Sequence, residues 1–340
     1  MSTAISIDRS LAAFLLTGLN DRPLPFQAQI SWRADGSSET WNVNPDLDGQ
    51  KTDHGWKGLH APFRLQLQWE TKPGGVSFSF SLRNDAKHDL YLNFIRPAIF
   101  QLADTAFADL DQIKMFQHGF QSWTPSQVVP ATSGQQYPRL KSFALMSHFV
   151  DSPFWGRKDG LISSLFTVLK RSGTAAATLF GFTSQKTGLG ELFLQNTGSP
   201  FLFSHLDYGG KQLRPGETLA GESLCILHGD VKTILEQYAV ELGKLMGARL
   251  KEESPVGWCS WYEFYTKVTE KNLIEYVCAL AEHPGLGVEV VQLDDGYQAA
   301  VGDWFSLKRK FPSGLKALTE KIHDTGFKAG IWLAPFFASS

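Results

Sequence analysis

The sequence predicts a multidomain β plus α/β protein: an N-terminal antiparallel β-sandwich followed by βα units with parallel strands. Two observations carry this. Over residues 20–228, short runs alternate apolar and polar residues and are broken by Gly, Pro and Asn. Period-two alternation gives a strand one buried and one wet face, and many such strands make a sandwich. From Val256 the rhythm becomes strand, helix, strand, helix, strand, as in buried parallel strands joined by helices.

In the β region, Phe63, Leu65, Leu67 and Trp69 alternate with Arg64, Gln66 and Gln68, then Gly74 and Gly75 mark a turn. Val76, Phe78, Phe80 and Leu82 alternate with Ser77, Ser79 and Ser81 beyond it, so the two runs pair as an antiparallel hairpin. Further strands are expected at Leu90–Phe94, Leu161–Leu169, Ala176–Thr183, Leu192–Leu194 and Thr218–His228. Val231–Leu250 reads as a helix with Ile234, Leu235, Tyr238, Ala239, Leu242 and Leu245 on one stripe. Three domains follow: a sandwich over 1–230, a linker helix over 231–254, and a βα domain over 255–340. In the last, Val256–Trp261 is the first strand. Thr269 caps a helix reaching about Glu282, with an acid in its first turn. Val288–Leu293 is the second strand, Pro312 opens a helix that stops near Gly326, and Phe327–Leu333 is the third.

Composition narrows the function. Of 340 residues 43% are hydrophobic and 19% charged, and the net charge is -2. This is ordinary for a globular protein, and no basic field exists to attract nucleic acid or an acidic membrane. No run approaches the ~20 apolar residues that span a bilayer. The first 20 residues lack the basic start and long apolar core of a signal peptide. Cys225, Cys259 and Cys278 are odd in number and have no C-x-x-C spacing, which fits reduced thiols in a cytoplasm. The nine histidines form no H-x-x-x-H pair and no cluster with cysteine, so no zinc site is expected. Cys259 reads as a small buried residue inside the first strand.

Chemistry concentrates where the parallel strands end. Asp294 and Asp295 follow an apolar strand, at the edge where such folds bind ligands. The bland alternative is a solvated turn or helix cap. As adjacent residues they reach one side of a pocket only. They are therefore poorly placed as the two carboxyls of a glycosidase, which flank the scissile bond about 5–5.5 Å apart in retaining enzymes. They suit the acceptance of hydrogen bonds from sugar hydroxyls, a specificity role. Trp261 and Tyr262 end the first strand, Trp332 the third, and Gly302-Asp303-Trp304 follows the second. Single rings of this kind pack into cores as readily as they line pockets. His118–Trp123, rich in aromatics, reads as a strand and turn or as a loop reaching toward a site.

GWCSWYEF, VVQLDDGYQ, GDW, FPSGL and GFKAGIWLAPF, in this order and spacing, resemble glycoside hydrolase family 36, the α-galactosidases related to raffinose synthases and α-N-acetylgalactosaminidases. The match is specific over residues 256–340 and looser over 20–230, where Gly119–Trp123 resembles a family loop. The resemblance implies that the βα region is the first three units of a (β/α)8 (TIM) barrel. It implies that Asp294 and Asp295 bind the hydroxyls of a terminal galactose, that Trp261, Tyr262 and Trp332 line that pocket, and that Trp123 enters it from the sandwich. It further implies a retaining mechanism without metal or organic cofactor, a galactose-containing oligosaccharide as partner, and oligomers for the full-length enzyme. The alternatives are a carbohydrate-binding or non-catalytic fragment and a related transglycosylase such as a raffinose synthase.

In the family the nucleophile follows strand four and the acid/base strand six. A whole barrel takes roughly 250 residues, far more than run from Pro255 to Ser340, so both groups are expected beyond Ser340 and no catalytic residue is assigned within the chain. A polypeptide of residues 1–340 is accordingly expected to show no turnover of a chromogenic α-galactoside, since it holds no nucleophile to position. Turnover in a preparation free of contaminating glycosidase would overturn this.

Overall fold

A computed structural model describes residues 3–19, 22–53, 55–120, 124, 126–134, 153–154, 156–250 and 254–335. Two compact units result, Met1–Ala248 and Arg249–Ser340. Among the described residues no helix is long and apolar enough to cross a membrane.

The first unit is built from two antiparallel sheets. One holds, in spatial order, Ala4–Asp8, Ala13–Thr17, Leu24–Ala34, Leu90–Gln101, Phe201–Leu213, Leu189–Gln195 and Gly160–Ser164, with Ser37–Val43 also on Leu24–Ala34. The other runs from Gln127–Pro130 through Ile113–Gln117, Phe166–Arg171, Ala176–Phe182, Leu224–Asp230, Gly75–Asn84, Phe63–Lys72 and Gly55–His60 to Gly49–Thr52.

Rings from both sheets meet in the core. Phe26 of the first sheet stacks on Phe78 of the second at 5.7 Å, and Phe100 of the first lies 5.1 Å from Phe180 of the second. Burying each such ring is worth about 1.5–3 kcal/mol. Asn84 adds a polar tie, its amide donating to the carbonyl of Leu213, 129 residues away, at 2.8 Å.

The hairpin expected around Gly74 forms, with Leu67 opposite Phe80 and Lys72 opposite Gly75. Gly74 sits at φ +71, where any side chain would be strained. Gly75 belongs to the strand, and a Cβ there would meet the carbonyl oxygen of Ile226 at 1.9 Å.

Two expected strands divide. Leu161–Leu169 becomes Gly160–Ser164 in one sheet and Phe166–Arg171 in the other. The change occurs at Leu165, held at φ 66 by its N–H to Gly190 O and its carbonyl to Phe182 N–H, both 2.9 Å. A hydrophobic run does not reveal one left-handed residue within it. Thr218–His228 splits into Thr218–Ala220 and Leu224–Asp230; between them Gly221 donates its N–H to Phe80 O at 2.9 Å, with the Phe80 ring where a Cβ would lie.

The helix Val231–Met246 starts at Asp230, whose carboxylate accepts from the N–H groups of Lys232 and Thr233, and ends at left-handed Gly247. Ile234 and Tyr238 bury against Val168, Leu179, Cys225 and Leu227, on the sheet face away from the sandwich interior. Tyr238 OH donates to Phe182 O at 2.6 Å, and Lys72 reaches Glu241 at 3.4 Å. The helix thus packs onto the first unit along its length, where the sequence reading made it a linker.

The second unit has three parallel strands, Gly257–Cys259, Val290–Leu293 and Lys328–Ile331, in that spatial order. The helices Glu270–Ala281 and Gly314–Asp324 cover one sheet face through Leu273, Val277, Leu318 and Ile322, packed with Val291 and Leu293. Val290 and Gln292, on the other face, are half-buried. The middle strand is therefore covered on one side, where the sequence suggested burial on both.

Phe26→Ala should destabilise the first unit by about 3–5 kcal/mol, the cost of a phenylalanine-sized hole in a packed core. Leu59→Ala, at an exposed side chain, should change stability by no more than about 0.5 kcal/mol. Urea unfolding followed by tryptophan fluorescence reads both, and equal effects would contradict the packing described.

Candidate active site

The site is assembled at the C-terminal ends of the parallel strands. Asp294 follows Leu293 directly, and its N–H turns from the ladder to the hydroxyl oxygen of Ser260 at 2.9 Å. Asp294 is 8% exposed, and a buried carboxylate needs donors. It has three. Oδ2 accepts from Gln292 Nε2 at 2.8 Å and from Cys259 Sγ at 3.1 Å. Oδ1 accepts from the backbone N–H of Asp295 at 2.8 Å.

Asp295 is held differently. Its Oδ1 accepts from Gln298 Nε2 at 2.6 Å, while Gln298 Oε1 accepts from Gly296 N–H at 3.1 Å. Gln298 is 2% exposed, so this clamp is rigid. Gly296, at φ 120, lies against Thr266, whose Cα would be 2.7 Å from an added Cβ. Only glycine lets the chain turn there. Among the described residues, no protein donor reaches Oδ2 of Asp295.

The titratable neighbours respond to this carboxylate pair. Burial, and then the adjacent Asp294, raise the Cys259 thiol above its ordinary value. Burial first and Asp295 second raise the Tyr297 phenol. Lys310 is lowered by burial and by Lys308, with Asp295 acting in the opposite sense.

The aromatics divide into two groups. Trp332 follows the third strand, its N–H donating to Leu293 O at 2.9 Å and its carbonyl accepting from Tyr297 OH at 3.2 Å. Trp304 meets it edge-on at 5.8 Å. The Trp332 backbone is thereby tied to the segment that carries the acids, and the Trp304 ring rests against the Trp332 ring. Trp261 and Tyr262 open a short helix, Trp261–Phe264, rather than ending the first strand, which stops at Cys259. Trp261 packs edge-on against Tyr265 at 5.1 Å, and Tyr262 is 84% exposed. No contact between these two rings and the acids is seen among the described residues. Of the His118–Trp123 stretch, Gln121, Ser122 and Trp123 lie outside the described residues.

Sequence reasoning missed the supporting polar groups. Cys259 is half-buried and hydrogen-bonded, not an inert core residue. Gln292 was visible only as a polar interruption two residues before Asp294, on the same side of the strand. Gln298, three residues after Asp295, stood within VVQLDDGYQ but was given no role there. Among the described residues no group of three His, Cys, Asp or Glu could hold a metal ion.

Comparison with known proteins finds likenesses to one class, the α-galactosidases. Residues 237–340 match the melibiase family. The chain is similar, more particularly, to glycoside hydrolase family 36 α-galactosidases. Alpha-galactosidase AgaA of Geobacillus stearothermophilus is 30% identical over 148 residues, covering 42% of this chain and 20% of that protein. Alpha-galactosidase Mel36A of Lactobacillus acidophilus is 28% identical over 141 residues, covering 38% and 19%. The chain thus spans about a fifth of the length of these curated relatives. The solved α-galactosidase TtGalA of Thermus thermophilus, in complex with p-nitrophenyl α-D-galactopyranoside, superposes with TM-score 0.55 and 25% identity, covering 85% of this chain and 49% of that one. An AgaA variant solved with 1-deoxygalactonojirimycin shares the fold at TM-score 0.57, 16% identical, over 91% of this chain and 45% of its own.

The frame beneath the acids can be tested through the helix Glu270–Ala281. Thr269 accepts from Asn272 N–H, and Asn272 accepts from Thr269 N–H, a capping box. Thr269→Ala should cost about 1 kcal/mol, read as faster amide exchange over the first turn of that helix. Unchanged exchange would mean the box contributes nothing to the helix start.

Proposed function

We propose that the chain is the N-terminal part of a retaining α-galactosidase that hydrolyses terminal α-galactosides of oligosaccharides. Its parallel unit opens a (β/α)8 barrel over residues 255–340, after a sandwich over 1–230 and the helical segment 231–254. One observation carries this reading. At a parallel strand end, a buried aspartate takes three protein donors, while its neighbour keeps one carboxylate oxygen open.

The two acids then divide the work of recognition. Asp295 offers Oδ2 to a sugar hydroxyl, oriented by the Gln298 clamp. Asp294, already taking three donors, fixes the turn and presents its remaining lone-pair direction to a second hydroxyl. A substrate lacking or inverting either hydroxyl would leave a buried acceptor unsatisfied, and such mismatches discriminate strongly. Trp332 and Trp304 form an apolar wall suited to the C–H face of a hexose. Trp261 and Tyr262 reach the sugar from a different side. Three free thiols, Cys225, Cys259 and Cys278, support a reducing, cytoplasmic setting.

Asp294→Ala and Asp295→Ala should each weaken galactose binding about ten- to a hundredfold, the worth of charge-assisted hydrogen bonds of roughly 1.5–3 kcal/mol. Both should narrow the preference for galactose over glucose. Titrations with the two sugars, monitored by calorimetry or NMR, measure this. Full affinity and an unchanged galactose-to-glucose ratio in both variants would return the acids to the role of a solvated turn.

A further inference from the structure

We infer that Cys259 is a positioning residue for the Asp294 carboxylate: its S–H donates to Oδ2 and, together with Gln292, fixes the plane in which that carboxylate meets a ligand. The inference rests on the galactoside-site reading for its functional consequence, but the thiol–carboxylate pair can be tested without it.

Two parallel strands generate the pair. Their register sets Cys259 opposite Gln292, and Asp294 lies two residues beyond Gln292, on the same side of the strand. Gln292 Nε2 donates to Asp294 Oδ2 at 2.8 Å, and Cys259 Sγ lies 3.1 Å from the same oxygen. Gln292 Nε2 also lies 3.6 Å from Cys259 Sγ. The three side chains thus close a triangle around one carboxylate oxygen. The Gln292 amide and the Asp295 N–H put one donor on each carboxylate oxygen and leave Oδ2 some freedom to swing. A second donor from the neighbouring strand removes that freedom, and preorganised acceptors lose less on binding.

Only the thiol form can donate. Burial and the negative neighbour both keep the proton on sulfur, so the bond persists through neutral pH. It is lost when pH rises through the raised thiol pKa, because a thiolate would then face a carboxylate. The charged or titratable groups around the pair are Asp294 itself, Asp295 on the following loop, Tyr297 beyond it, and Lys310, which feels Asp295. Among these, replacing Cys259 removes the sulfur titration alone.

The test begins with thiol chemistry in the full chain. Alkylation of each cysteine by iodoacetamide is followed against pH by peptide-resolved mass spectrometry. Exposed Cys278 serves as internal reference. Asp294→Asn should lower the apparent pKa of Cys259, so that alkylation below that pKa speeds about tenfold, and Cys278 should not change. An unchanged Cys259 titration in that variant overturns the pairing, whatever the protein binds.

The second arm measures affinity for galactose and for 1-deoxygalactonojirimycin. Cys259→Ala should weaken both about three- to tenfold, the worth of one net hydrogen bond. Cys259→Ser, which keeps a donor, should restore most of it and hold it to higher pH than wild type. Wild-type affinity in Cys259→Ala, with Asp294→Ala still impaired, overturns the positioning role while leaving the galactoside site standing. A shifted thiol pKa with no galactose binding by wild type upholds the pair and sinks the galactoside reading.

Discussion

The register of two parallel strands governs the chemistry of the second unit. Pairing Gly257 with Val290 and Cys259 with Gln292 places a thiol and an amide on the same side as Asp294. It also brings the Ser260 hydroxyl under the Asp294 N–H just as the ladder stops. A slip of one residue between the strands would turn one set of side chains to the opposite face, and the carboxylate would keep Gln292 and the Asp295 N–H but lose the Cys259 thiol. Leu293, buried in the helix-covered core, guards against that slip, because the same shift would expose it.

In the first unit the corresponding constraint is aromatic. Stacked and edge-on rings from both sheets share one core, from Phe14 and Trp56 through Phe26 and Phe78 to Phe100 and Phe180. Ring geometry specifies the alignment of the sheets more tightly than aliphatic side chains would. Outside this core, Tyr238 joins helix and sheet by burying its ring and spending its hydroxyl on Phe182 O. Burial raises its phenol strongly, so it stays a neutral donor.

Much of this was legible in the residues. The hairpin at Gly74, the capped helix after Thr269 and the acids at a strand end follow from periodicity, capping chemistry and fold geometry, all of which act over a few positions. Other features were hidden because their causes are not local. Leu165 moves the chain between sheets through one backbone angle inside an apolar run. Tyr262 turns to solvent because a helix begins immediately after Ser260. Cys259 gains its role only through a strand partner some thirty residues away, a relation that no spacing rule encodes. The family resemblance pointed to the acids, but the groups that hold them emerged from the hydrogen bonds.

The bond between Asn84 and Leu213 has a consequence for how the chain acquires its fold. The strand Leu90–Gln101 lies between Leu24–Ala34 and Phe201–Leu213, so one of its edges stays unpaired until about a hundred further residues exist. Closing such a distant pairing is slow, since loop-closure entropy comes before the contacts that offset it. At a ribosomal pace of about 5–20 residues per second, that edge waits on the order of five to twenty seconds during synthesis. Throughout that interval Leu92, Ile95 and Phe100 are a bare apolar strand, open to a neighbouring nascent chain. A strand central to the finished sheet is thus one of the last to gain both its neighbours while the chain is being made.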